Sequence, residues 1–225
     1  EEGTSADITF TNQFTGDLKI SGTDHVGLFC NTMQAGSSLT ATFTSDQGAG
    51  KISVEATESD KDAGGFVGHM EADASLTVAG TSVSSVASSS GNAGGIVGSS
   101  VDGNVTVKVS EQGTNNFQFA DSITLSSGSD KAAGGLIGSY SIAKAEKNFD
   151  LSSYQFTKST ITGGKNAGGL FGELKITNTA DTAGISVSIS GNTENFDNNT
   201  KTITTEVSTA NVVTNYGGLI GSYQS

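Results

Sequence analysis

The chain contains no proline, no tryptophan and no arginine, so all 11 of its basic side chains are lysines, set against 23 carboxylates. A formal charge of −12 and a pI near 4.4 exclude nucleic acid as a partner, since phosphate contacts need clustered basic side chains. One cysteine, Cys30, excludes an intrachain disulfide and reads as a small buried thiol. No run of about 20 apolar residues is present, which argues against direct membrane insertion by a helix. Two histidines, His25 and His69, are too few for a clustered metalloprotease site, and no His-Glu-x-x-His occurs. Acidic residues scattered through turns, with no arginine beside them, argue against the polysaccharide-cleaving chemistry of many β-helix enzymes.

What the chain does have is repetition. A glycine signature returns as Asp62-Ala63-Gly64-Gly65-Phe66-Val67-Gly68, Asn92-Ala93-Gly94-Gly95-Ile96-Val97-Gly98 and Ala132-Ala133-Gly134-Gly135-Leu136-Ile137-Gly138. It continues as Asn166-Ala167-Gly168-Gly169-Leu170-Phe171-Gly172 and Asn215-Tyr216-Gly217-Gly218-Leu219-Ile220-Gly221. A degenerate first copy, Asp24-His25-Val26-Gly27-Leu28-Phe29-Cys30, aligns through Gly27 and puts Cys30 in place of the last glycine. Aligned on Gly27, Gly65, Gly95, Gly135, Gly169 and Gly218, the steps are 38, 30, 40, 34 and 49 residues. A period of roughly 20–50 residues marks a solenoid, propeller or array.

Between the motifs, apolar and polar residues alternate, as in Leu39-Thr40-Ala41-Thr42-Phe43, Val105-Thr106-Val107 and Ile123-Thr124-Leu125. This is the strand signal, and no helical stripe of useful length competes; the best helix candidate, Ser141 to Lys147, is short. Steps as short as 30 residues do not fit a four-stranded propeller blade, and the strict hexapeptide of a left-handed β-helix is missing. The sequence predicts an all-β, right-handed parallel β-helix (β-solenoid) of about six to seven irregular three-strand coils. Residues 1–23 would supply N-terminal strands of a first or capping coil and 24–225 the repeats. The chain opens Glu1-Glu2-Gly3 and stops partway through a repeat, which points to a segment of a larger protein.

Within the motif, Asp24, Asp62, Asn92, Asn166 and Asn215 suggest a tight Asx turn, and the glycine pair suggests unusual dihedrals and close backbone approach. The preceding turn glycine, Gly91, is expected to vary freely. The three asparagines should stack at one corner, and Leu39, Leu76, Val105 and Ile185 should form one core column. A phosphate cradle is disfavoured because no strand runs from these glycines into a helix. Asp60-Lys61-Asp62 reads as a solvated turn rather than half a calcium site. Thr40-x-Thr42-x-Thr44 reads as ordinary β-propensity rather than an ice-binding ladder. Tyr140 and Tyr223 share a Gly-Ser-Tyr position and form the one candidate ligand face, able to stack on a glycan. Asn104 and Asn198 carry Asn-x-Thr sequons. The residues indicate no catalytic, metal or cofactor site.

The repeated Asn-Ala-Gly-Gly-Ile-Val-Gly and Ala-Ala-Gly-Gly-Leu-Ile-Gly segments resemble the GLUG repeat of large bacterial surface proteins, including IgA-peptidase-like and haemagglutinin-like adhesins. The resemblance runs from about Asp24 to Tyr223. It implies an extracellular, cell-surface β-solenoid with a stalk, adhesin or filament role. Its partner would be a protein or glycan receptor, or neighbouring copies of the chain. No enzymatic residues carry over from it.

Overall fold

The computed structural model describes residues 4–107, 117–118, 123–143, 147–150, 154–155, 159–176, 187–190, 203–207, 215–217 and 219–224. The first coil holds β1 (Ser5–Asn12), β2 (Leu18–Gly22), β3 (Val26–Gly27) and β4 (Cys30–Met33). The second holds β5 (Ser38–Ser45), β6 (Ile52–Ala56), β7 (Ala63–Gly64) and β8 (Val67–Met70), and the third β9 (Ser75–Gly80), β10 (Ser85–Ser88), β11 (Ala93–Gly94) and β12 (Val97–Val101). In the fourth are β13 (Asn104–Val107), β14 (Phe117–Gln118), β15 (Ile123–Ser126), β16 (Ala132–Gly134) and β17 (Ile137–Ile142). The fifth contains β18 (Lys147–Asp150), β19 (Tyr154–Gln155), β20 (Ser159–Gly163), β21 (Asn166–Gly168) and β22 (Phe171–Ile176). The sixth contains β23 (Val187–Ser190), β24 (Ile203–Val207), β25 (Asn215–Gly217) and β26 (Ile220–Gln224).

All described pairings are parallel and join each coil to the next. Face one runs β1-β5-β9-β13, face two β2-β6-β10-β15-β20-β24, the corner strip β3-β7-β11-β16-β21-β25, and face four β4-β8-β12-β17-β22-β26. The protein is therefore an all-β parallel solenoid. Four coils close on all four sides and two more continue in three of the sheets, fewer regular coils than the six to seven expected. Coils also have four or five strands rather than three, in part because the glycine motif is itself a two- to three-residue ladder between two bends. Within residues 1–23, β1 and β2 lie in the coil that β3 and β4 close.

Alternation explains the core. In β5 the residues Leu39, Ala41 and Phe43 point inward, and in β6 Ile52, Val54 and Ala56 do. Leu39, Leu76 and Val105 stack in register as expected, while Ile185 lies outside the described residues. Phe10–Phe43 and Phe29–Phe66 rings stack at 5.8 and 5.2 Å, one coil apart. The two consecutive apolar residues of the four inner motifs are both buried, for they flank the bend between the corner strip and face four. Phe66 and Val67, Leu136 and Ile137 thus reach the same core from different sides. Ser141 and Ile142, at the start of the short stretch that came nearest a helical pattern, end strand β17; residues 144–146 lie outside the described set.

The motif glycines are required by contact rather than by dihedral angle. A Cβ on Gly64, Gly94, Gly134 or Gly168 would lie 1.7–2.0 Å from the carbonyl oxygen three residues ahead. A Cβ on Gly65 or Gly135 would meet the next coil's Gly95 or Gly169 carbonyl at 2.1 Å. On Gly68, Gly98, Gly138, Gly172 and Gly221 it would meet the preceding coil's backbone within 2.7 Å. Among the described residues, positive φ occurs at Gly36, Gly48 and Gly80 and at Asp60, Asp73 and Asp102, none of them a motif position. Gly91 does not vary freely either: its Cβ would sit 2.0 Å from the Lys61 carbonyl oxygen. Gly218 lies outside the described residues.

Candidate functional site

Strand register corrects the first motif copy by one residue. Gly27 pairs with Gly64, not Gly65, and Cys30 pairs with Val67. Cys30 therefore occupies an apolar column, where burial raises its thiol pKa to about 11, and Asn31 takes the third-glycine position. By the same shift His25, and not Asp24, occupies the column of Asp62 and Asn92.

That column is a ladder of side-chain acceptors. The Asp62 amide donates to His25 Nδ1 at 3.0 Å, and the Asn92 amide to Asp62 Oδ1 at 2.7 Å. The Ala132 amide donates to Asn92 Oδ1 at 3.0 Å. Asp62 and Asn92 thus bond the coil that follows rather than their own turn, whereas Asp24 accepts the adjacent His25 amide at 2.8 Å. Asn166 and Asn215 pair in the same corner, with Asn215 Nδ2 donating to Asn166 Oδ1 at 3.1 Å.

A second polar column, on face four, meets this ladder. Thr32, His69, Ser99, Ser139, Glu173 and Ser222 are successive register partners. Buried Asp62 links the two columns: Oδ1 also accepts from Asn92 Nδ2 at 2.8 Å, and Oδ2 accepts from Ser99 Oγ at 2.5 Å. Ser99 Oγ lies 2.7 Å from His69 Nδ1. The Ser99 proton points at Asp62, so His69 Nδ1 is the donor and its Nε2 keeps the lone pair. The opposite tautomer holds at His25, whose Nδ1 accepts an amide proton. The two rings stack with centroids 5.0 Å apart. Burial lowers the His69 pKa below its ordinary value and the nearby His25 lowers it further, while Asp62 and Glu71 oppose both.

This is the densest group of reactive side chains among the described residues, and its order determines its chemistry. A hydrolytic triad places histidine between serine and carboxylate, so that imidazole takes the serine proton. Here serine stands in the middle and gives its proton to Asp62. Ser99 is thus held by both neighbours and is not activated. No three His, Cys, Asp or Glu among the described residues converge on a metal position. The group stitches coils one, two and three together.

The other residues singled out from sequence separate. Asp60, Lys61 and Asp62 turn to three different partners: Asp60 to Lys131 at 2.8 Å, Lys61 to Asp24 at 2.9 Å, and Asp62 to the network above. Hydrogen bonds from Lys61 and Lys131 hold the Asp24 and Asp60 carboxyls, respectively, below their ordinary pKa. Tyr140 does not belong to a ligand face. It is fully buried, donates its hydroxyl to the Gly103 carbonyl at 2.7 Å and stacks on Phe171 at 5.9 Å. Its column, Met33–Met70–Ser100–Tyr140–Leu174–Tyr223, points into the core, and burial raises its pKa. Tyr223, in the last described coil, is 58 % exposed. Across face one Thr40 stands between Asp7 and Thr77, with Thr106 beyond, whereas Thr42 lies between Thr9 and Ala79. The threonine rows are therefore interrupted.

Sequence reasoning missed Ser99. The signal was available in the residue after each third glycine (His69, Ser99, Ser139, Glu173 and Ser222), a column that could have been read beside the motif.

A scan against protein-family models, a search of curated proteins and a search of solved structures return no match to this chain.

Proposed function

We propose that the chain is a structural spacer: a solenoid segment of an extracellular stalk in a larger surface protein, without catalysis of its own. The observation that carries this reading is the distribution of exposed apolar side chains. Among the described residues, Ile8 and Phe14 lie in the first coil and Leu219 and Tyr223 in the last, with Val101 alone between them. The sides carry polar rows such as Lys19, Ser53, Ser85 and Thr124 along face two. Such a skin offers solubility and, among the described residues along the sides, no aromatic platform, and carbohydrate recognition favours stacking aromatics. The seven-residue glycine motif resembles GLUG repeats and supports the surface setting. Stacking at about 4.8 Å per coil gives a stiff unit whose length scales with the number of coils.

Intact cells of the source, labelled with an antibody raised against the chain, test the location; the purified protein on a glycan array and on immobilised matrix proteins tests the role. Surface labelling without array binding is the expected result. Selective binding to one glycan or matrix protein would make the chain an adhesive module. Labelling that appears only after lysis would remove the surface reading.

A further inference from the structure

Two histidine rings from successive coils lie face to face, and their bonds make them opposite tautomers. His25 Nδ1 accepts the Asp62 amide at 3.0 Å and keeps its proton on Nε2, whereas His69 holds its proton on Nδ1, bonded to Ser99 at 2.7 Å. A further proton from solvent therefore finds the rings unequal. His69 takes it at Nε2, and the bond to Ser99 survives. His25 takes it at Nδ1, the atom that holds the Asp62 amide, and two N–H groups cannot share one bond. A second partner is in reach of that nitrogen: Asp62 Oδ2 lies 3.4 Å away. Its remaining lone pair can accept while Ser99 keeps the other, and Asn92 stays on Oδ1.

We propose that His25 is a proton-operated latch between coils one and two. Neutral, it holds the backbone of the second coil through the Asp62 amide. Protonated, it releases that amide and takes the Asp62 carboxylate instead. The backbone bond from Val26 N–H to the Asp62 carbonyl, at 2.9 Å, is untouched, so the latch loosens one contact without parting the coils. The stack limits the pair to one charge, because two cationic rings 5.0 Å apart repel in a partly buried site. Burial lowers the His69 pKa and His25 adds to the lowering, so His69 is the ring that stays neutral. The other charges around the pair leave Asp62 as the seat. Asp24, on the turn that carries His25, is engaged by Lys61 of coil two at 2.9 Å, and Asp60 by Lys131. Glu71, just past the end of β8, acts on His69. The latch does not depend on the spacer reading, and either can fail without the other.

Nuclear magnetic resonance of the unaltered protein, titrated over about pH 8–5, reads the latch directly. Ring-nitrogen shifts identify the tautomers, and at the alkaline end His25 should carry Nε2–H and His69 Nδ1–H. As the His25 ring charges, the Asp62 amide should lose about tenfold in exchange protection, corrected for the pH dependence of intrinsic exchange. The Asn92 amide should keep its protection over the same steps. His25→Asn supplies a non-titrating acceptor of the type the column already uses at Asn92, and it should hold the Asp62 amide across the whole range. An Asp62 amide that stays protected while His25 charges would overturn the proposal. So would a loss of protection that persists in His25→Asn, or two rings that charge together. The titration of the unaltered chain decides the matter by itself if the variant does not fold.

Discussion

The glycine corner is built one way in the first half of the molecule and another way in the second. From His25 to Ala132, each coil offers a side-chain acceptor to the amide of the next: His25 to Asp62, Asp62 to Asn92, Asn92 to Ala132. Past Ala132 the amides turn to backbone carbonyls. Asn166 N–H reaches Lys131 O at 3.4 Å and Asn215 N–H reaches Lys165 O at 2.9 Å. The glycine contacts, in contrast, are alike in both halves: 1.7 Å at Gly94 and 2.0 Å at Gly168 for the same missing Cβ. The difference teaches that close backbone approach defines the corner, and that side-chain acceptors reinforce it where they are present.

The largest expected effect tests the shared part. Gly94→Ala places a methyl against the Val97 carbonyl oxygen, which cannot yield without breaking the bend. It should cost at least about 3 kcal/mol in urea denaturation, and Gly168→Ala about as much. Thr124→Ala, exposed on face two, should stay within about 0.5 kcal/mol. A tolerated Gly94→Ala would break the comparison at its base.

Next comes the reinforced half. Asp62→Ala removes the acceptor for the Asn92 amide, the Asn92 side chain and Ser99, leaving buried donors unmet. A loss of about 2–3 kcal/mol is expected, with amide exchange rising first at Asn92. The converse substitution, Ala132→Asn, would restore an acceptor beneath the Asn166 amide, at a register position where both neighbouring coils already seat an asparagine. It should raise stability by about 1 kcal/mol, and a shifted midpoint at constant slope is the readout.

The smallest effect is set by pH. The folded-state pKa of His69 lies below 6.5, so the unfolded chain takes up its proton first on acidification. The stability His69 contributes is complete above pH 6.5 and falls as pH drops from there to the folded pKa. His25, Asp62 and Glu71 are the ionisable neighbours that set the size of the drop. His69→Gln should flatten thermal melts between pH 7 and 5 relative to the parent. Parallel pH profiles for the two proteins would show that this ring does not respond.

Much of this architecture could be read directly. Alternation located the strands, and the motif's return located the corner. What escaped was register. Val26 preceding Gly27 stands where alanine precedes four of the five glycine pairs, and with only one glycine the first copy could be slid by one residue. Only the pairing of Val26 with Ala63 resolves it. Burial of Tyr140 escaped for a related reason: its column alternates Ser100, Tyr140 and Leu174, so neither residue type nor spacing marks it as inward. The His25–Asp62–Ser99–His69 group draws on three coils, and nothing short of the fold brings those positions together.

Because every coil meets its neighbour through the same corner, the number of residues spent between corners has no bearing on whether the joint forms. The Gly64-to-Gly94 turn takes 30 residues and the Gly168-to-Gly217 turn 49, yet both begin and end in the same corner strip. Misaligned recombination between two copies of the motif, which would scramble an ordinary globular domain, would here add or remove a whole turn and leave an intact stack. Such a gene can change the length of its product in single steps without passing through an unfolded intermediate. Long and short forms of the same rod then become neighbours in sequence space, and selection can act on length itself.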